Sequence, residues 1–240
     1  MALSATLRAT LNDNADATSY AFPSATYSNN KLYLLFLSTS HATLTAPVAS
    51  AISGAGLTFT NVAQAFYSGI GVRSVEAWRC LPTSGATTGV VTATLTGGTA
   101  TNGHGFIIEI DGMDTSGSNG SGAIVQSPTA VSASNGTSGS VTLSAFGSSD
   151  NRPFSFFAHR ANEVTTFETN WTELGDVNSN SPSAGSECQW RSDTTDTTAT
   201  ATWGTSSAWG AIAIEIKQAV AAMSFVPYAM NLTYQPLLVR

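Results

Sequence analysis

The sequence predicts an all-β protein: an antiparallel, jelly-roll-like β-sandwich that is built from two pseudo-repeated halves and followed by an extended C-terminal arm. Three observations support this prediction. Segments of the second half repeat segments of the first half in the same order. Short runs rich in alternating Thr and Val are bounded by turn-forming residues, as is typical of strands. No window longer than about ten residues shows the periodicity of a helix.

The repeat is visible in four pairs of segments. Their spacing drifts slowly along the chain, which indicates a duplicated unit whose loops have changed in length. We therefore assign the halves to about residues 18–114 and 137–217. The matching pairs are residues 56–58 with 170–172, 74–79 with 186–191, 92–95 with 200–203, and 106–110 with 212–216.

Each half contains five comparable strands. A five-stranded unit leaves one apolar face uncovered, so two units stacked face to face would complete one sandwich over residues 1–217. Two separate domains are the alternative, and the Gly/Ser-rich residues 111–122 are either a linker or a crossover loop. The predicted strands are 31–40, 57–63, 74–79, 90–96 and 106–110 in the first half, and 154–161, 171–177, 186–191, 197–203 and 211–217 in the second.

The charge content limits the partners that the chain can have. Charged residues make up 10% of the sequence, the net charge is −6, and Lys31 and Lys217 are the only lysines. A surface that follows phosphates needs clustered Lys and Arg, so no nucleic acid is expected as a partner. No apolar run has the length of a signal peptide or a membrane span, so we expect a soluble chain without a membrane partner. No phosphate-binding loop pattern is present, and no cofactor is expected.

The two cysteines, Cys80 and Cys188, are too few for a disulfide scaffold and lack the CxxC spacing of a zinc site. One interpretation is that both are small buried residues. The repeat offers another, because antiparallel pairing of the strands that contain Trp78 and Trp190 would bring the two cysteines to the same face. The sequence leaves open whether they are in contact.

Glu109 and Glu215 interrupt the closing apolar strand of each half at the same repeat position. Glycosidases need two carboxylates at a defined separation. Alternation, however, places the apolar neighbours of each Glu on one face of its strand and the carboxylate on the other. We therefore predict solvated carboxylates that pair with Arg73, Arg79 or Arg191, and a protein that is not an enzyme.

The other polar candidates are explained by local structure. His41, His104 and His159 lack the spacing of a metal site or a catalytic triad. Asp111 and Asp114 lie in a Gly/Ser-rich loop that could bind calcium, but the EF-hand pattern is absent and turn formation explains them as well. No metal is therefore predicted.

Four of the five tryptophans occupy positions where the other half also has a large apolar residue. This match predicts core packing for Trp78, Trp171, Trp190 and Trp203. Trp209 has no such counterpart. It is the aromatic residue that we predict to be available for stacking on a glycan.

The repeat ends at Lys217, and residues 218–240 form the predicted arm. Pro227 and Pro236 break any regular element, and the segment is more apolar than a solvated terminus. The arm either folds back over its own sandwich or lies on a neighbouring subunit. In the second case its partner-binding side chains are Phe225, Tyr228, Met230, Leu232, Tyr234, Leu237 and Leu238.

Several segments carry a recognisable pattern: GLTFTNVAQ at 56–64, SVEAWRCL at 74–81 and GFIIEIDGMD at 105–114, then NWTELGDV and IAIEIK in the second half. Together they resemble β-sandwich virion structural proteins of tailed bacteriophages, of the decoration or tail-associated type. The resemblance spans about residues 18–217 and rests on packing motifs. It therefore implies a fold and a setting, and it carries over no catalytic residue.

The resemblance implies a virion protein that is assembled in the host cytoplasm. We expect a capsid decoration, or cement, protein that stabilises the shell through subunit contacts. Its expected partners are further copies of itself in a homo-oligomer and other virion proteins, either the major capsid protein or tail subunits. The alternative is a tail or fibre receptor-binding protein that recognises host surface glycans.

Overall fold

The computed structural model describes residues 2–41, 46–67, 73–132, 134–193 and 196–220. The protein is all-β, as the sequence predicts. Within the described residues, 20 antiparallel strands are connected by turns and loops, and the one helical element is a 3-10 turn at Ser121–Ala123.

The first half forms two main sheets. Its strands are β1 (Ser4–Asp13), β2 (Ser19–Ala21), β3 (Ala25–Thr26), β4 (Leu32–Ser40), β5 (Val48–Gly54), β6 (Leu57–Thr58), β7 (Thr60–Tyr67), β8 (Arg73–Cys80), β9 (Thr88–Gly89), β10 (Thr92–Thr96) and β11 (Asn102–Asp111). The inner sheet has the order β1-β11-β4-β8-β7, the outer sheet has the order β2-β10-β5-β6, and β3 pairs with β9.

The second half repeats this arrangement. Its strands are β12 (Ile124–Gln126), β13 (Thr129–Val131), β14 (Gly136–Thr142), β15 (Arg152–His159), β16 (Thr166–Phe167), β17 (Thr172–Asn180), β18 (Ser183–Trp190), β19 (Thr198–Ser207) and β20 (Trp209–Ile216). The inner sheet has the order β12-β20-β15-β18-β17, with β13 also paired to β20, and the outer sheet has the order β14-β19-β16.

The two inner sheets pack against each other and enclose the central cluster of buried apolar side chains. Phe36 on β4 stacks on Phe156 on β15 with ring centroids 5.3 Å apart, and Phe106 on β11 meets the same ring edge-on at 6.1 Å. Contacts between the halves are reciprocal, because β1 lies against β17 and its counterpart β13 lies against β7. Such reciprocity is the mark of a twofold relation. The central cluster includes Leu34, Phe36, Phe106, Ile108, Phe154, Phe156, Ile212 and Ile214.

The four layers of sheet differ from the predicted sandwich, in which each half supplied one sheet. Each half instead has its own core between its inner and outer sheets. Inner strands are therefore covered on both faces, which explains why β4 is buried at every position and why its sequence does not alternate. The first-half cluster includes Tyr33, Leu35, Leu37, Ile52, Trp78 and Ile107, and the second-half cluster includes Val141, Phe157, Trp171, Ala201, Trp203 and Ala213.

The structural repeat in the Trp strands is shifted by one residue from the sequence match. Phe36 and Phe156 are equivalent, and they lie opposite Ala77 and Cys188 respectively. Trp78 is therefore equivalent to the residue before Trp190. Because a shift of one residue moves a side chain to the other face of a strand, the two tryptophans face different cores.

This shift also separates the cysteines. Trp78 and Cys80 belong to the first-half cluster, whereas Cys188 belongs to the central cluster and Trp190 packs against it. The two Trp strands do not pair, since β8 lies between β4 and β7 and β18 lies between β15 and β17. Both cysteines are free thiols, and the hypothesis of a cross-strand contact between them is wrong.

The segment between the halves is fastened to both of them. Lys31 of the first half pairs with Asp111, and Lys217 at the end of β20 pairs with Asp114 at 2.7 Å. The two aspartates that fitted either a turn or a calcium site are thus held by the only lysines of the chain.

Candidate functional site

The arm leaves the body from a fixed point. Met113 forms a bridge with Gln218, the Asp114 N–H donates to the Lys217 carbonyl at 2.9 Å, and the Ala219 N–H donates to the Gly112 carbonyl at 2.8 Å. The chain is therefore anchored up to residue 219, two residues beyond the predicted end of the sandwich.

A cavity of about 410 Å³ opens beside this point. Two valines on its lining are unusually exposed, Val125 at 47% and Val220 at 85%. The lining residues are Val125, Gly147, Ser148, Asp150, Asn151, Lys217, Gln218, Ala219 and Val220. An exposed apolar patch at the root of an apolar segment is suited to contact with another protein surface.

The predicted partner-binding side chains of the arm lie outside the described residues. They are Phe225, Tyr228, Met230, Leu232, Tyr234, Leu237 and Leu238. The three apolar clusters of the body consist of residues that precede Lys217.

Trp209, the candidate for glycan stacking, begins β20 and is half-buried. It packs against the second-half cluster, and its ring covers Gly139, where an added Cβ would lie 2.8 Å from the ring. One face of the indole therefore contacts the protein. A polar cavity of about 260 Å³ opens beside the start of this strand and is lined by Asn135, Arg160 and residues 205–208.

The prediction that Glu109 and Glu215 are solvated is wrong. Glu109 is 8% exposed and accepts hydrogen bonds from Arg8, at 3.0 and 2.7 Å, and from the Tyr33 hydroxyl at 2.8 Å. Glu215 is 0% exposed and accepts from Asn151 and Gln126, each at 2.5 Å. The face opposite the central cluster is covered by the other layers of each half, so alternation identified the face correctly but not what covers it.

Two of the three arginines that were predicted to pair with these carboxylates have other partners, and the buried Nε of the third, Arg79, has no hydrogen-bond partner among the described residues. Arg73 donates to the Ser183 carbonyl across the boundary between the halves at 2.9 Å. Arg191 pairs with Asp193 at 2.5 Å and with Asp196 at 3.2 Å.

Sequence reasoning missed a second pair of buried glutamates, Glu76 and Glu187. They occupy equivalent positions, since each precedes the residue opposite a stacked phenylalanine. Both are 0% exposed and face the core of their own half. The signal was present, because each is the only acidic residue in an otherwise uncharged or apolar central stretch of its Trp strand.

Polar side chains also join the halves at one end of the central cluster. The His104 ring lies 3.2 Å from the Ser186 hydroxyl, and Asn102 donates to the Ser179 hydroxyl at 3.0 Å. Burial, reinforced by the Arg73 charge, lowers the pKa of His104 to about 3. This histidine is therefore an uncharged part of the interface between the halves.

The described residues contain no group of three or more His, Cys, Asp or Glu side chains placed to hold a metal ion. They also contain no helix with the length and hydropathy of a membrane span.

Comparisons with protein-family models, with curated proteins and with solved structures found no match to this chain. The function must therefore be argued from the sequence and the geometry.

Proposed function

We propose that this chain is a non-enzymatic structural protein of a bacteriophage virion, and specifically a capsid decoration protein. It is assembled in the host cytoplasm and stabilises the shell through contacts with its own copies and with the major capsid protein or tail subunits. The arm supplies these contacts through its apolar side chains.

The observation that carries the proposal is the exposed apolar surface beside the point where the chain is anchored to the body by residues 218 and 219. Val125 is 47% exposed and Val220 is 85% exposed, and both line the cavity of about 410 Å³ at that point. The sequence after residue 220 is rich in large apolar residues. Such side chains are stabilised by burial at about 25 cal/mol per Å², so they favour a contact surface over solvent.

The strand order adds support. In the first half the orders β1-β11-β4-β8 and β2-β10-β5-β6 are compatible with the two four-stranded sheets of a jelly roll, and β7 extends the first sheet. Viral capsid and lectin domains both use this architecture. Fold alone does not select a function, but this fold is compatible with a shell protein.

The test is the composition of particles of the phage that encodes the chain. Gradient-purified particles should contain the full-length chain in many copies, and a variant with Leu237→Asp and Leu238→Asp should fold normally but be lost from the particles. Thr233→Asp is the matched control and should be retained, because it adds charge to the arm without removing a large apolar side chain. Purified particles that lack the wild-type chain would overturn the proposal.

Glycan recognition by a tail or fibre protein is the second candidate, and the 260 Å³ cavity beside Trp209 favours it. Its lining of amide, hydroxyl and guanidinium groups matches the donors and acceptors of a sugar. A glycan array should then show binding that Arg160→Gln abolishes. Phe167→Ala, on the exposed surface of β16, should leave that binding unchanged.

A further inference from the structure

The carboxyl groups of Glu187 and of its first-half equivalent Glu76 differ in their hydrogen-bond partners. The Glu76 carboxylate accepts the Ala49 N–H at 3.1 and 3.2 Å and the Trp78 indole N–H at 3.1 Å. Neither carboxyl oxygen of Glu187 has a hydrogen-bond partner among the described residues. An ionised carboxylate that is buried without partners costs several kcal/mol, so a charge at this position is stabilised less than a charge on Glu76.

A second carboxyl group lies beside Glu187. Asp176 on β17 is its direct cross-strand partner, and side chains at such positions have Cβ atoms about 4.5–5.5 Å apart. One Asp176 oxygen accepts the Thr165 N–H at 2.6 Å, and the other is buried and has no partner among the described residues. Three unpartnered carboxyl oxygens therefore belong to one neighbouring pair.

The surroundings of the pair supply little positive charge. The charges that act on Glu187 come from Asp176 and Glu173, which are both negative. β19, in the covering sheet, contributes only uncharged side chains. The titratable or charged groups on the elements around the pair are Arg152 and His159 on β15, Arg160 after it, Glu163 and Glu168 around β16, Glu173 on β17, Cys188 on β18, Arg191 after it, and Glu215 on β20.

Three of these neighbours have environments of their own. His159 contacts the Thr165 hydroxyl at 2.9 Å and stacks on Trp203, and burial lowers its pKa to about 4, so it is uncharged at neutral pH. Arg160 is exposed. Glu163 accepts hydrogen bonds from Gly204 and Thr205 at the surface.

We propose that Glu187 and Asp176 form a carboxyl–carboxylate pair that holds one proton in the folded protein at neutral pH. The proton gives the pair a hydrogen-bond donor that its surroundings lack, and it leaves one negative charge instead of two between β17 and β18. Burial, and then the Asp176 charge, raises the pKa of Glu187, and burial raises the pKa of Asp176 to about 6.

The pair makes the second half sensitive to alkali. The unfolded chain loses these protons above its ordinary carboxyl pKa values, near 4, whereas the folded chain keeps one of them to a higher pH. Stability is therefore lost as the pH rises towards the folded pKa of the pair. Once the proton leaves, two adjacent buried charges repel, and we expect the covering sheet β14-β19-β16 to open before the first half does.

Infrared spectroscopy and hydrogen exchange on the full-length chain test this proposal. In the Glu76→Gln background at pH 7, the infrared spectrum should contain the C=O stretch of a protonated carboxyl group, and Glu187→Gln should remove it. Between pH 6 and pH 9, amide exchange in residues 160–207 should rise roughly tenfold more than the intrinsic pH effect, equivalent to about 1.4 kcal/mol. Glu187→Gln should abolish this excess, because the amide is a neutral donor of nearly the same shape.

Glu76→Gln is the matched control, and it should leave the excess exchange of residues 160–207 in place. If Glu187→Gln does not fold, Asp176→Asn and the wild-type pH titration of the infrared band provide the same test. Three outcomes would each overturn the proposal. The first is a wild-type spectrum in which no protonated carboxyl band responds to Glu187→Gln or Asp176→Asn. The second is the absence of excess amide exchange at alkaline pH. The third is a requirement for a metal cation such as Ca²⁺ to stabilise the pair.

Discussion

Phe156 is the side chain through which the two halves contact each other most directly, and its removal should destabilise the whole body. It is fully buried, stacks on Phe36 at 5.3 Å and meets Phe106 edge-on at 6.1 Å. Truncation of a buried Phe to Ala costs about 3–5 kcal/mol. The aromatic pairs add about 0.5–1.5 kcal/mol. We therefore expect Phe156→Ala to lower the free energy of unfolding by about 4–6 kcal/mol.

Urea denaturation followed by tryptophan fluorescence measures this loss. Because the central cluster is shared, the wild type should unfold in one transition, and Phe156→Ala should move that transition without splitting it. Phe167→Ala is the matched control, since Phe167 is 38% exposed and should change stability by less than about 0.5 kcal/mol. In a double-mutant cycle, Phe36→Ala and Phe156→Ala should be coupled by about 1 kcal/mol. A loss below about 1 kcal/mol, or a first half that unfolds independently of Phe156, would refute the reasoning.

Four further predictions concern polar side chains. Arg8→Ala removes the two hydrogen bonds that hold Glu109, and because the Arg8 side chain is 34% exposed we expect a loss of about 1–2 kcal/mol in urea denaturation; an unchanged midpoint would count against this ion pair. Burial raises the pKa of Glu76 to about 7, so the folded protein keeps a proton that the unfolded chain releases above its usual pKa of 4.5. Relative to Glu76→Gln, the wild type should lose up to about 3 kcal/mol between pH 4.5 and pH 7, and a pH-independent difference would contradict this. The pH dependence of stability has the opposite sign for His104, which is neutral in the folded protein. The free energy of unfolding falls as the pH falls from 6.5 to about 3, and His104→Asn should flatten that part of the stability profile in acid denaturation. Asn119 has a positive φ of 49° and accepts the Leu81 N–H at 2.9 Å, so Asn119→Ala should cost about 1–3 kcal/mol in thermal unfolding; Asn119→Gly, which tolerates that φ, should cost less, and equal losses would show that the backbone conformation contributes nothing.

Strand type and the order of the repeated segments along the chain could be predicted, because strand type is local and the repeat is visible in the sequence. The apolar run of β4, the alternating Thr of β10 and the equivalence of β11 with β20 all depend on neighbouring residues. What covers each strand is not local. Alternation separates the two faces of β11, for example, but the burial of Glu109 depends on Arg8 and Tyr33, which are distant in the sequence.

The alignment of the two halves was the second feature that the sequence did not predict correctly. The identical Trp-Arg pairs in β8 and β18 suggested one alignment, but cross-strand partners fix another that differs by one residue. That single residue moves Trp190 to the central cluster and makes Glu187 equivalent to Glu76. The setting of Trp209 could not be predicted either, because Gly139, which its ring covers, lies on another strand.

The central claim is that the body folds without the residues that join subunits. Light scattering on the full-length chain and on a chain that ends at Val220 tests it most directly, since residue 219 is the last of the described residues with a backbone hydrogen bond to the body. The full-length chain should be an oligomer, and the shortened chain should be a monomer with an unchanged unfolding midpoint. Two monomers, or a shortened chain that remains oligomeric, would contradict the claim.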